Sequence, residues 1–256
     1  VYIVTVNGFL FSIDLKNGAV KWKKKIEGPL LRGSEPVVDS GRIFLATSYG
    51  VVQAFSRDGR ELWRRNLEEG IFSSMTCDRG VLYVGTVRSN IYAINARDGG
   101  VLWTFDADGG IFSSSPRVYR GVLYVGCDSG AFYAINRNGS LRWEFKAKKK
   151  ILSAPALVDN TICICSEDGT IYALDADDGA KLWEFSTRGA IIAGPDVSGD
   201  SILVPSGNGI FSIDVKTGEL NWREGFPSGV NTPITVVGNT AFAGLNNGDF
   251  ISIESF

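Results

Sequence analysis

The chain has 256 residues, with 26 Lys and Arg against 28 Asp and Glu, and its net charge of −2 gives no electrostatic reason to expect nucleic acid. It contains no histidine, which excludes Ser-His-Asp triads, Cys-His dyads and His-ligated metal sites within this chain. Hydrophobic residues make up 44% and charged ones 21%, and no apolar run approaches the ~18 residues that cross a bilayer as a helix.

The chain opens Val1-Tyr2-Ile3-Val4, strand-like and without a methionine, so a cleaved or omitted leader is compatible with it. Its six tryptophans then fall at steps of 41, 40, 40, 40 and 39 residues: Trp22, Trp63, Trp103, Trp143, Trp183 and Trp222. Self-similarity at that period marks a repeat architecture, in which no unit buries its apolar face without its neighbours. Helical periodicity is missing throughout.

Aligned on the tryptophans, each unit shows four short segments rich in β-branched and aromatic residues, separated by Gly, Asn or Asp turns. One unit predicts strands at Gly110–Pro116, Val122–Gly126, Ala131–Asn136 and Leu141–Phe145. Four strands in about 40 residues is the pattern of a propeller blade.

The first segment carries Pro36, Pro116, Pro155, Pro195 and Pro233, with Thr76 in the remaining unit. An innermost strand has a free edge where a residue without an N–H is tolerated, which predicts proline inside that strand. Small residues precede it: Ser73-Ser74, Ser113-Ser114-Ser115, Ser153-Ala154 and Ala193-Gly194. Crowding near the axis explains them, and a row of ligand hydroxyls is the other reading.

The third segment and its turn are the most regular part, as in Ala93-Ile-Asn95-Ala-Arg-Asp98-Gly99…Trp103 and Ala173-Leu-Asp175-Ala-Asp-Asp178-Gly179…Trp183. Asp or Asn caps the turn, Gly supplies the positive φ, and the small Ala or Ser leaves room for an indole. The pattern Ala-x-Asp/Asn-x-x-x-Gly-x-x-x-Trp covers essentially the whole chain. It resembles the tryptophan-docking motif of β-propellers with pyrroloquinoline-quinone (PQQ)-type repeats. In that family the tryptophans knit neighbouring blades together, so the resemblance implies a fold and not a bound quinone.

A seventh unit lacks its tryptophan: Thr232–Val237, Thr240–Gly244 and Asp249–Glu254 supply three strands, and the first unit also has three. The expectation is an all-β, seven-bladed β-propeller of four-stranded antiparallel blades, one domain over residues 1–256, with 7 × 4 − 2 = 26 strands. An upstream segment of roughly 20–25 residues would complete both terminal repeats, and an eight-bladed propeller would need ~40 more.

Propeller sites lie on loops leading into the innermost strands. There Arg32, Glu35, Arg117, Asp196 and Asn231 break the repeat. Arg117 and Asp196 stand where other units carry Val37, Cys77, Ala156 and Ile234. These charges either compensate one another and face channel water, or form a polar ligand site. Lysines cluster nearby, at Lys23–Lys25 and at Lys146 with Lys148, Lys149 and Lys150, on a rim shared with Glu27, Glu68, Glu69, Asp106 and Asp108. Asp175-Ala-Asp177-Asp178-Gly179 lacks the ligand spacing of a calcium loop. Cys163 and Cys165, two apart in one strand, share a face and read as buried hydrophobes.

The resemblance offers three readings. Large members of the family are dehydrogenases holding PQQ and calcium on the axis, often beside a disulfide between adjacent cysteines, a pair this chain lacks. Others, such as the propeller of the outer-membrane barrel-assembly machinery, are non-catalytic. The expectation is therefore a scaffold that binds a protein partner, with no catalytic residue, cofactor or metal; a small polar ligand at the channel mouth is the third reading. The resemblance also implies an extracytoplasmic place, in the periplasm or at the cell surface.

Overall fold

The computed structural model describes residues 1–29 and 35–254. Those residues form 26 strands and no helix. The first sheet joins β1 (Tyr2–Thr5), β2 (Phe9–Ile13) and β3 (Val20–Lys25). The second joins β4 (Val37–Asp39), β5 (Arg42–Ala46), β6 (Val51–Ser56) and β7 (Glu61–Asn66). In the third are β8 (Thr76–Asp78), β9 (Val81–Gly85), β10 (Asn90–Asn95) and β11 (Val101–Asp106). The fourth has β12 (Arg117–Tyr119), β13 (Val122–Gly126), β14 (Ala131–Asn136) and β15 (Leu141–Lys146). The fifth has β16 (Ala156–Val158), β17 (Thr161–Cys165), β18 (Thr170–Asp175) and β19 (Lys181–Ser186). β20 (Asp196–Ser198), β21 (Ser201–Ser206), β22 (Gly209–Asp214) and β23 (Leu220–Glu224) make the sixth. The seventh, of three strands, is β24 (Thr235–Val237), β25 (Thr240–Gly244) and β26 (Phe250–Glu254).

Strands adjacent in sequence are adjacent in each sheet, so every sheet is an antiparallel meander. These are the blades of a seven-bladed β-propeller, with three strands in the first and last, as the repeat count predicts. The chain divides into two compact units, Val1–Gly121 with Arg137–Ser140, and Val122–Asn136 with Leu141–Phe256.

Burial explains the strand sequences. The second and third strands of a blade are covered on both faces, so β13 (VLYVG) is buried throughout and reads as an apolar run. The outermost strand is an edge, and β19 (KLWEFS) alternates, with its charges outward and Trp183 turned in. Opposite each tryptophan in its own blade stands the small residue: Ala93 pairs Trp103 and Ala173 pairs Trp183. The register then shifts, Ile94 pairing Val101 and Leu174 pairing Lys181, a β-bulge that leaves one extra residue beside the indole.

The indole reaches the next blade. Trp63 Nε1 donates to the Ala96 carbonyl at 3.1 Å, Trp103 to Arg137 at 2.8 Å and Trp183 to Val215 at 2.8 Å. Its ring lies against the turn glycine there. An added Cβ would come within 2.6 Å of Trp63 at Gly99 and 2.7 Å of Trp183 at Gly218. The same glycines hold φ of +76° and +75°. The turn thus needs glycine for its backbone and for its ring contact together.

The innermost strand departs from expectation. Residues 110–116 are irregular, and the strand is the three-residue Arg117–Tyr119. Pro36, Pro116, Pro155 and Pro195 stand immediately before their strands, and Pro233 two residues before β24. Proline fixes the extended approach and starts the strand, so no ladder donor is lost inside it.

Candidate binding site

At one end of each blade, the turn between its second and third strands meets the loop that leads into an innermost strand. Val87 N donates to the Gly70 carbonyl at 3.0 Å, and Leu67 N to Gly50 at 2.9 Å, so the loop over 67–75 is held by two successive blades. In the second unit Glu167 N donates to Lys150 at 2.9 Å and Ala147 N to Gly130 at 2.8 Å, fixing the loop over 147–155 in the same way. These mouth loops share a further pattern. Ile71, Ile111, Ile151 and Ile191 are all buried, each anchoring its loop from below. Of the small residues that follow, Ser73, Ser114 and Ala193 are buried, at 3%, 1% and 5% exposure, which fits crowding there, whereas Ser113 is exposed and Ser74, Ser115, Ala154 and Gly194 are half-buried.

The mouth loops carry the charged candidates. Glu35 is exposed, its amide donating to Ser74 Oγ at 3.4 Å. Arg117 opens β12 with its side chain exposed and makes no ion pair among the described residues. Lys149 is exposed, its carbonyl accepting the Ser166 hydroxyl at 3.2 Å while its ammonium has no ion partner among the described residues. Lys150 is tied to Asp128 at 3.2 Å. Asn231 is exposed beside Val230, which is buried. Arg32 lies outside the described residues.

Asp196 stands apart from the others. Its carboxylate accepts the Val236 amide at 2.8 Å and the Val197 amide at 2.9 Å, joining the innermost strands of consecutive blades. The repeat is broken there for a backbone latch. Glu69 forms a second latch that its place on the charged rim does not predict. Half-buried Glu69 accepts from Thr86 Oγ1 at 2.5 Å, Asn90 Nδ2 at 2.8 Å and the Tyr92 hydroxyl at 3.2 Å. Burial and that carboxylate push the Tyr92 phenol above its ordinary pKa, so it stays a donor. The signal available in the sequence was the Thr86…Asn90…Tyr92 alternation, which puts three donors on one side of a turn.

Several charges are spent on structure. Lys23 lies 3.9 Å over the Phe9 ring, Lys25 donates to the Asn7 carbonyl at 2.7 Å, and Arg64 bridges Glu27 and Glu61. The aspartates at 175, 177 and 178 are turn caps: Asp175 Oδ1 accepts the Asp177 amide at 2.7 Å, Asp178 Oδ1 accepts Ala180 N at 2.9 Å, and Asp177 pairs Arg142 at 2.8 Å. Among the described residues no group of three or more His, Cys, Asp or Glu could hold a metal ion. Cys163 and Cys165 are buried, and burial pushes the Cys163 thiol up to about 12 and Cys165 higher still.

The comparisons with known proteins agree with this frame. A PQQ-type repeat family model, described as outer membrane protein assembly factor BamB, matches residues 6–149, 87–193 and 167–255. The chain belongs to this family. A BamB from Burkholderia pseudomallei (strain K96243) is 29% identical over 96 residues, 38% of this chain and 25% of the relative, so the match spans a quarter of that protein. The crystal structure of BamB from Moraxella catarrhalis superposes with a TM-score of 0.79 at 21% identity, covering 100% of this chain and 79% of that one. The computationally designed Ika8 protein gives 0.68 at 14% identity over 99% of this chain and 92% of its own. A quinohemoprotein alcohol dehydrogenase, ADHIIG from Pseudomonas putida HK5, gives 0.64 at 19% identity over 76% of this chain and 42% of that one. These three likenesses speak for the fold. No helix of the described chain is long and apolar enough to cross a membrane.

Proposed function

We propose that this chain is a non-catalytic binding module whose mouth loops dock a protein partner during assembly of outer membrane proteins, outside the cytoplasm. Membership of the BamB family supports the assembly role. The observation that carries the binding face is the exposure of Arg117, at the start of β12, and of Lys149, on a loop that backbone hydrogen bonds hold in place, both without ion partners among the described residues. Rigidly mounted loops of variable charge are where a repeat protein gains specificity without altering its packing. Glu35 in the first unit, Lys150 and Asn231 in the second and, from the repeat in the sequence alone, Arg32 are proposed as further contact residues, with Asp196 latching two innermost strands. We read the residues 1–256 as one propeller domain presenting it.

Charge reversal tests the face. Lys149→Glu and Arg117→Glu each weaken a partner complex isolated from the source organism, while Arg97→Glu, on the turn at the other end of a blade, leaves it intact. Melting temperature stays at the wild-type value in all three, because exposed charges contribute little to folding. Loss of binding with Arg97→Glu alone contradicts the proposal.

A further inference from the structure

Two phenyl rings stand half-exposed at the mouth of the first compact unit. Phe72 and Phe112 hold the same place in consecutive loops and meet edge-on, their centroids 5.9 Å apart, with Phe112 37% exposed. The glycines two residues before them explain how the rings are set. A Cβ at Gly70 would lie 3.2 Å from Phe72 Cε1, and one at Gly110 would lie 2.6 Å from Phe112 Cε2. Neither glycine has a positive φ, and Lys150 and Ala190 occupy the same place before the aliphatic Leu152 and Ile192. Crowding by neighbouring atoms, and not a strained φ, therefore requires glycine at 70 and 110: each Cβ would meet a phenyl ring together with a backbone carbonyl, that of Ser48 at 3.1 Å and that of Val87 at 2.7 Å.

Val87 completes the floor, its Cγ2 within 3.4 Å of the Gly70 Cβ position and its carbonyl within 2.7 Å of that at Gly110. Next to it, exposed Arg88 makes no hydrogen bond or ion pair among the described residues. Glu69, the nearest acid in the loop before Phe72, is occupied by Thr86, Asn90 and Tyr92. An edge-on aromatic pair with an unpaired guanidinium one residue along the chain from Val87 has the composition of an interface hot spot.

We propose that Phe72, Phe112, Val87 and Arg88 form the anchor point for an extended protein segment that presents a large apolar side chain next to a carboxylate. The apolar group lies on the phenyl pair and the carboxylate meets Arg88. This deepens the proposed binding role of the mouth loops and rests on it.

A displayed library of random dodecapeptides, selected on the full chain and counter-selected on a Phe72→Ser/Phe112→Ser variant, tests the assignment. The expected peptides place Phe, Leu, Ile or Met beside Asp or Glu and bind wild type at least about tenfold more tightly than the double variant. Arg88→Glu weakens them further. Both variants keep the wild-type melting temperature; if the double variant melts early, Phe112→Ser alone serves. Peptides that bind the double variant equally, a basic consensus, or no enrichment at all overturns the proposal. Concentration-dependent self-association in sedimentation, abolished by the double variant, also overturns it by giving the patch to a second copy. The selection does not read Lys149 or Arg117, so its failure is separable from failure of the charge-reversal test.

Discussion

The indole of Trp143 lies on Gly179 of the next blade, where an added Cβ would stand 2.6 Å from the ring, and its Nε1 donates to the Ala176 carbonyl at 3.1 Å. That carbonyl also accepts the Tyr124 hydroxyl at 3.1 Å. One turn thereby receives a flat ring and two hydrogen bonds from the preceding blade, and the tryptophan spacing in the sequence is the spacing of these joints.

Gly179→Ala meets two penalties at once, a φ of +76° and the indole. It is expected to lower stability by about 1–3 kcal/mol, while Trp143→Ala costs about 3–5 kcal/mol. In the Trp143→Ala background the glycine substitution costs less, since only the backbone strain remains. Urea denaturation of the four proteins checks this; strict additivity would show that ring and glycine do not interact.

Asp196→Ala leaves the Val236 amide without its acceptor and is expected to cost about 1–3 kcal/mol. Asp196→Asn retains a side-chain oxygen and loses less. Amide exchange at Val236, followed by NMR, speeds up in the alanine variant. Unchanged exchange there would mean that the carboxylate is not the latch.

The raised thiols give stability a pH dependence. Burial lifts Cys163 from 9.0 to about 12, and Cys77, beside Asp39, also to about 12, so folded thiols stay protonated where unfolded ones ionise. Their contribution is complete below pH 9 and is lost as pH rises from 9 towards 12. The urea midpoint should therefore fall between pH 9 and 11, and fall less in a Cys163→Ala/Cys77→Ala variant. An equal fall in both proteins would assign the loss to other groups.

The sequence reading succeeded where burial is periodic. The buried runs of β13 and β14 and the tryptophan turns have side chains whose types are dictated by packing on every repeat. It failed at the innermost strand because Arg117–Tyr119 is three residues long and exposed at its first, while Ile111 and Ser114, buried in the preceding loop, imitate a strand pattern. At the mouth, charges that break the repeat are conspicuous in the sequence, whereas the Phe72–Phe112 pair is not, since single exposed aromatics are common. The readable signal was the pairing of Gly70 with Phe72 and Gly110 with Phe112, against Lys150 with Leu152 in another unit. Asp196 was legible as an exception but not as a latch, because Val236 is 40 residues away.

Site-specific photo-crosslinking in the source organism tests the binding face most directly. A benzophenone side chain placed at Arg117 or Lys149 is expected to give a discrete adduct with another protein. At Arg97 or Asn138, on turns at the other end of the blades, none is expected. Adducts at 97 and 138 with none at 117 and 149 would contradict the assignment of the mouth loops as the docking surface.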